Sequence, residues 1–139
     1  ARGTIVGLTR CTTKAHFARA ALESMAYSTR DVVQSMQETS NVTLDELRVD
    51  GGAAANDWLM QYQADVLGVS VGRPKHLEAT ALGAAGLAGL AVGVWSTPEE
   101  YAESREYKWF HPHAKRDTEY IGWRKAVDTA LYWAKSNNS

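Results

Sequence analysis

The chain has 139 residues, 45% of them apolar and 22% charged, with a formal net charge of -1. That length suits one domain or part of one, and the apolar content can support a core. The near-neutral charge excludes a general nucleic-acid binder, which needs a basic surface.

The longest apolar stretch, Ala79 to Trp95, is broken by glycines and built largely of alanine, which excludes a membrane span. The one cysteine, Cys11, cannot form an internal disulfide, and with no secretion signal the expected compartment is cytoplasmic. The sequence opens Ala-Arg-Gly rather than on Met and is expected to be a piece of a longer protein.

Residues Ala1 to Thr9 alternate loosely and read as a short strand or an extended loop. Thr12 or Thr13 can cap a long helix whose apolar stripe is Ala18, Ala21, Leu22, Met25, Val32, Val33 and Met36, expected to be core. Arg19, Glu23, Arg30 and Asp31 on that helix should be solvated or paired. After a polar turn over Ser40 to Asp45, Leu47 to Val49 make a short strand. A second helix starts near Ala54 to Asn56 and runs to Leu67, burying Leu59, Met60, Gln63, Val66 and Leu67. Gly68 stands where a C-cap glycine belongs. Val69 to Gly72 is a second strand, stopped by Pro74.

Thr80 caps a third helix, Ala81 to Val92. Each of its three glycines costs about 1 kcal/mol relative to alanine, so a neighbouring helix or sheet must press closely on Gly83, Gly86 and Gly89. Gly93 ends it. Pro98, Glu99 and Glu100 start a short helical turn, and Lys108 to Lys115 read as an ordered loop. A last helix from about Thr118 to Ser136 carries the stripe Trp123, Ala126, Val127, Ala130, Leu131 and Ala134, ahead of a frayed end. Strands alternating with helices predict an α/β layer with a short parallel sheet.

Chemistry concentrates in Asp50-Gly51-Gly52-Ala53-Ala54-Ala55-Asn56, which joins a strand end to a helix start. Ligands of open α/β sheets bind beyond the carboxyl ends of strands. Two glycines let the backbone turn sharply and approach a flat ring or phosphate. Asn56 can read a purine edge or ribose through its amide. Asp50 can hold Mg²⁺ through water. The same Asp-Gly-Gly is also an ordinary turn with an Asx bond. Neither common phosphate loop is present, and His16, His76, His111 and His113 stand at no metal-ligand spacing. Cys11 lies five residues from His16, a candidate base for a catalytic thiol, but a lone cysteine is far more often simply a small buried residue.

Two stretches carry a family resemblance. Gly3-Thr4-Ile5-Val6-Gly7-Leu8 and, after seven residues, His16-Phe17-Ala18-Arg19-Ala20-Ala21-Leu22-Glu23 resemble the second signature of the FGGY carbohydrate kinases. That family includes glycerol, xylulose, gluconate and ribulose kinases. Leu47-Arg48-Val49-Asp50-Gly51-Gly52-Ala53-Ala54-Ala55-Asn56 looks like the adenosine-binding segment of its glycerol kinases. Gln63-Ala64-Asp65, Thr80 to Ala85, Ala88 to Trp95 and Gly122 to Val127 are in the same style. Cys11 stands where glycine is common, Ala79 where Thr is usual and Gly86 where a bulky residue is usual.

The resemblance implies a partial ribonuclease H-like domain of the actin and hexokinase type. Residues 1–139 would be the C-terminal portion of the kinase's second, nucleotide-binding domain, with the N-terminal domain absent. It implies that Gly52 and Asn56 contact ATP or ADP while Gly51 and Ala53 shape the turn, with Mg²⁺ used by the intact enzyme. The substrate would be glycerol, held upstream together with the catalytic base, so the chain alone is expected to be inactive. Another polyol or ketose kinase is the near alternative. A non-catalytic module that self-associates through a sheet edge, giving a homo-oligomer, is the distant one.

Overall fold

The computed structural model describes residues 3–75 and 79–136. The expectations for Ala1 and Arg2, for His76 and for Asn137 to Ser139 lie outside the described residues. Residues Gly3 to Thr9 form no strand; the extended-loop alternative holds, with Ile5, Val6 and Leu8 exposed.

Helix α1 spans Lys14–Ser40. Thr13 caps it, and the Thr13 N–H donates to His16 Nδ1 at 3.0 Å. His16 therefore serves the helix end rather than the exposed Cys11. Asn41, in the left-handed region at φ 54°, closes the other end by donating its N–H to the Gln37 carbonyl. The expected stripe does not form the core. Only Ala26 and Tyr27 of α1 are buried, while Met25, Val32 and Met36 are 44%, 58% and 64% exposed. The contact face is set instead by α2, which receives the Tyr27 hydroxyl against that of Tyr62 at 2.6 Å. Gln63 Nε2 donates to the Ala26 carbonyl, and Arg30 Nη1 to that of Val66. Arg19 pairs with Glu23, Arg30 with Asp117 and Asp31 with Arg124, as expected for these charged positions.

Strand β1 is Glu46–Arg48 and β2 is Ser70–Pro74, paired in parallel with Leu47 opposite Val71. Between them lie a 3-10 turn at Gly52–Ala55 and helix α2 at Asp57–Leu67. Gly68 ends α2 in the left-handed region. Leu59, Met60, Gln63 and Val66 are buried as the periodicity requires, and Leu67 is half-buried. Tyr62, Ala64 and Asp65 are buried too, because α2 packs on α1 and on the sheet at once.

The sheet gains a third strand from the segment expected to be a loop. Strand β3, Tyr107–Phe110, runs antiparallel to β2, with Trp109 opposite Gly72 and Phe110 opposite Val71. The order is β1-β2-β3, so the sheet is mixed rather than all parallel. A free edge on β2 leaves backbone groups unpaired, and even four residues gain by filling it.

Helix α3 is Ala79–Ala91 and α4 is Pro98–Glu103. The close packing demanded by the α3 glycines comes from aromatic rings. A Cβ on Gly86 would lie 2.4 Å from the Tyr101 ring, and one on Gly89 2.2 Å from that of Trp95. The Tyr101 ring thus occupies the space that a larger residue at position 86 would take, and its hydroxyl donates to the Leu82 carbonyl. Gly83 meets nothing within 4 Å.

Helix α5, Asp117–Ser136, docks on α1 around Asp31. Asp31 of α1 accepts hydrogen bonds from the Tyr120 hydroxyl, from Trp123 Nε1 at 2.8 Å and from Arg124 Nη1 at 3.0 Å. Of the α5 stripe, Trp123, Ala126, Val127, Ala130 and Ala134 are half-buried, whereas Leu131 is exposed. No helix among the described residues is long and apolar enough to cross a membrane.

A buried carboxylate, Asp65, ties α2 to the β3–α5 connection. It accepts from Gln61 Nε2 and the His113 N–H and faces Arg116. Burial pushes both Asp31 and Asp65 up. The bonds from Tyr120, Trp123 and Arg124 outweigh it at Asp31, and those from His113, Gln61 and Ala114 at Asp65, so both end below the ordinary carboxylate range. A depressed folded-state value contributes stability that is fully present above the unfolded value of about 4 and lost as pH falls through the folded one. Urea midpoints should hold steady from about pH 7 to about pH 5 and fall below about pH 4. A profile flat down to acid would show that neither carboxylate stabilises the fold.

Candidate functional site

The segment after β1 is built by its own backbone. Gly51 has φ 83° and ψ 174°, a region that side chains disfavour, and it turns the chain away from the strand. The Ala54 N–H then donates to the Gly51 carbonyl, and the Asn56 N–H to that of Ala53. The carbonyls of Gly51 and Ala53 thus hold the turn's internal hydrogen bonds.

Gly52 needs another explanation. Its φ lies outside the left-handed range, and no atom lies within 4 Å of a Cβ placed on it. Nothing internal among the described residues demands glycine there. The missing side chain leaves an exposed stretch of backbone that a flat group can approach from outside.

Asn56 has two jobs available and performs one internally. Its Oδ1 accepts the Leu59 N–H at 3.1 Å and caps α2. Its Nδ2 has no acceptor among the described residues, and the residue is exposed. The amide therefore presents donors outward beside the positive end of α2. The expected acceptor half of its recognition is occupied by the cap. Asp50 is exposed. Among the described residues no cluster of three or more His, Cys, Asp or Glu could hold a metal ion.

The turn is anchored from behind by residues that the sequence reading did not single out. Arg73 of β2 donates from Nη1 to the carbonyl of buried Ala54 at 2.7 Å and pairs with Asp57 Oδ1 at 2.8 Å. Lys108 of β3 reaches Asp57 Oδ2 at 2.6 Å. The Lys108 ammonium, with Arg73 beside it, holds the Asp57 carboxyl below its usual range. Arg73 also lies over the Phe110 ring, 5.4 Å from its centroid. The one cue in the sequence is a charged residue inside a short strand, where an inward cation needs a partner.

β1 and β2 run in parallel, so Asp50–Asn56 and the end of β2 share one edge of the sheet, where open α/β sheets place their ligands. Gly51, Gly52, Ala53 and Asn56 are brought together there on an open surface. His111 and His113 are elsewhere, bonded to Ser70 and Gln61.

The family description "FGGY family of carbohydrate kinases, C-terminal domain" matches residues 1–92. Glycerol kinase of Thermoanaerobacter sp. (strain X514) is 54% identical over 139 residues, covering 97% of this chain and 28% of the relative. Glycerol kinase of Saccharolobus islandicus (strain L.S.2.15 / Lassen #1) is 52% identical with the same coverage. The chain thus spans about 28% of the length of these relatives. Among solved structures, Plasmodium falciparum glycerol kinase with ADP matches at TM-score 0.78 and 31% identity, over 95% of this chain and 26% of that one. Xylulose kinase of Rhodospirillum rubrum matches at TM-score 0.75 and 23% identity, over 99% of this chain and 28% of that one, a likeness of fold. The architecture is accordingly part of an actin-like ATPase domain, and the chain belongs to the FGGY family of carbohydrate kinases, matching its C-terminal domain.

Proposed function

We propose that this chain supplies the adenine-nucleotide wall of an ATP-dependent glycerol kinase, as the later part of that enzyme's second domain. The observation that carries the reading is the open Gly52 backbone beside the outward donors of Asn56, within a chain 54% identical to glycerol kinases. Gly52 admits a flat base or ribose against the main chain, and Asn56 Nδ2 donates to it. The amide end of α2 favours the negative charge that a nucleotide brings.

Phosphoryl transfer rests on positioning and on charge stabilisation by Mg²⁺. Mg²⁺ keeps several waters and needs only one or two carboxylates when phosphates supply the rest. Exposed Asp50 fits such an outer role, and the described residues offer no closed protein cage. Glycerol and the group that takes its proton belong to the remainder of the enzyme, so this chain alone binds nucleotide without turnover. The cytoplasm is the compartment where ATP and glycerol meet.

Calorimetric titration with ADP tests this. Asn56→Asp keeps the cap oxygen but removes both donors and adds a repelling charge. It should leave the melting temperature within about 2 °C and weaken ADP at least about tenfold. Asn56→Ala should lose affinity and about 1 kcal/mol of stability together. Unchanged ADP affinity in Asn56→Asp would remove Asn56 from the site. Glycerol-selective ATP turnover by the longest chain containing these residues, against xylulose and gluconate, tests the substrate.

A further inference from the structure

A second site lies on the same edge of the sheet, away from the Gly52 turn. The end of β2, helix α3 and helix α4 enclose a cavity of about 410 Å³. Leu82, Ala85 and Pro74 give it an aliphatic side, and Trp95 and Tyr101 an aromatic one. These two rings meet edge to face, 4.8 Å apart, and are fixed by the Tyr101 bond to Leu82 and by the close approach to Gly86 and Gly89. The volume falls in the range of small-molecule sites.

Three charged groups line it: Lys75, Glu106 and Arg105. Lys75 and Glu106 pair with each other at 2.7 Å and are both largely exposed. Arg105 is different. It is half-buried, its Nε is shielded from water without a hydrogen-bond partner, and it has no ion pair among the described residues. Among the described residues its guanidinium lies near the ring of Tyr107, 5.7 Å from the centroid. A partly desolvated cation with no counter-ion among the described residues gains from an anion that completes it.

We propose that this cavity binds a small organic anion that carries a flat ring. The ring packs on Trp95 and Tyr101, and the carboxylate meets the outer nitrogens of Arg105, whose planar fork suits a two-oxygen acceptor. The aromatic wall selects for the ring, and with Lys75 paired to Glu106, Arg105 is the cation among the described lining residues that is left to face the ligand. The site does not depend on the nucleotide reading, since it shares none of Gly51, Gly52, Ala53 or Asn56.

The test uses benzoate as ring plus carboxylate, benzyl alcohol as ring alone and inorganic phosphate as anion alone. The longest polypeptide containing these residues is labelled with fluorotryptophan, and the Trp95 signal, assigned by its loss in Trp95→Phe, is followed by fluorine NMR. Benzoate should shift it saturably, about tenfold more tightly than benzyl alcohol or phosphate. Arg105→Gln should weaken benzoate about tenfold, and Arg105→Lys, which keeps the charge but loses the two-nitrogen fork, should restore only part of that loss. A Trp95 signal that does not saturate with benzoate overturns the site. Equal binding of benzoate in wild type and Arg105→Gln, or equal binding of benzyl alcohol, overturns the assignment of an anion.

Discussion

An Asp31→Ala variant should lose about 2–4 kcal/mol of stability and release α5 from α1. The carboxylate accepts from Tyr120 and Trp123, two side chains that face α1 and are buried and half-buried. Hydrogen bonds to a charged acceptor contribute about 1.5–3 kcal/mol each. The sum is held below its maximum because the Asp31 side chain is 25% exposed and one group serves both donors. The Arg124 contact is solvated and left out of it. Removing the acceptor also leaves the Tyr120 hydroxyl with Gln34 alone and the Trp123 N–H with no protein partner among the described residues. Urea unfolding measures the loss, and amide exchange along α5 shows where it falls. If α5 stays protected, the ring contacts of Tyr27 with Tyr120 and Trp123 hold it without the carboxylate.

Arg73→Met should cost about 2–3 kcal/mol and loosen the Gly52 turn. Methionine keeps an apolar stem over Phe110 but cannot donate. The carbonyl of Ala54, a residue 2% exposed, then has lost its charged donor. An orphaned buried acceptor costs about 1–3 kcal/mol, and a charge-assisted bond sits at the upper end. Asp57 keeps Lys108, and exposed pairs contribute little, so Lys108→Met should leave stability nearly unchanged. ADP affinity should fall for Arg73→Met and hold for Lys108→Met. Equal stability of the two variants would mean that the turn stands on its own backbone bonds.

The long helices were legible because periodicity survives over many residues: α1, α2 and α5 begin and end within a few residues of their expected bounds. Burial was less legible. The α1 stripe is truly amphipathic, but the sequence names no partner for it, and α2 covers Ala26 and Tyr27 instead. Strand β3 escaped because four residues are too few for a period of two to show; its cause is the unpaired edge of β2, 30-odd residues earlier. At the site, Gly51, Gly52, Ala53 and Asn56 were readable as a turn and as a family segment. The anchor was not, since Arg73 and Ala54 stand 19 residues apart and meet only through the parallel pairing of β1 and β2.

Helices α3 and α4 are held to each other by Tyr101, Trp95 and the glycines beneath them, while the tyrosines, Val71 and Phe110 of the main core lie elsewhere. Cooperativity in unfolding comes from shared burial, and these two helices share little of it with α1, α2 and the sheet. The core and the α3–α4 pair should therefore differ in opening free energy. On warming, the α3–α4 pair is expected to open before the core, and amide exchange slower in α2 than in α3 would show it.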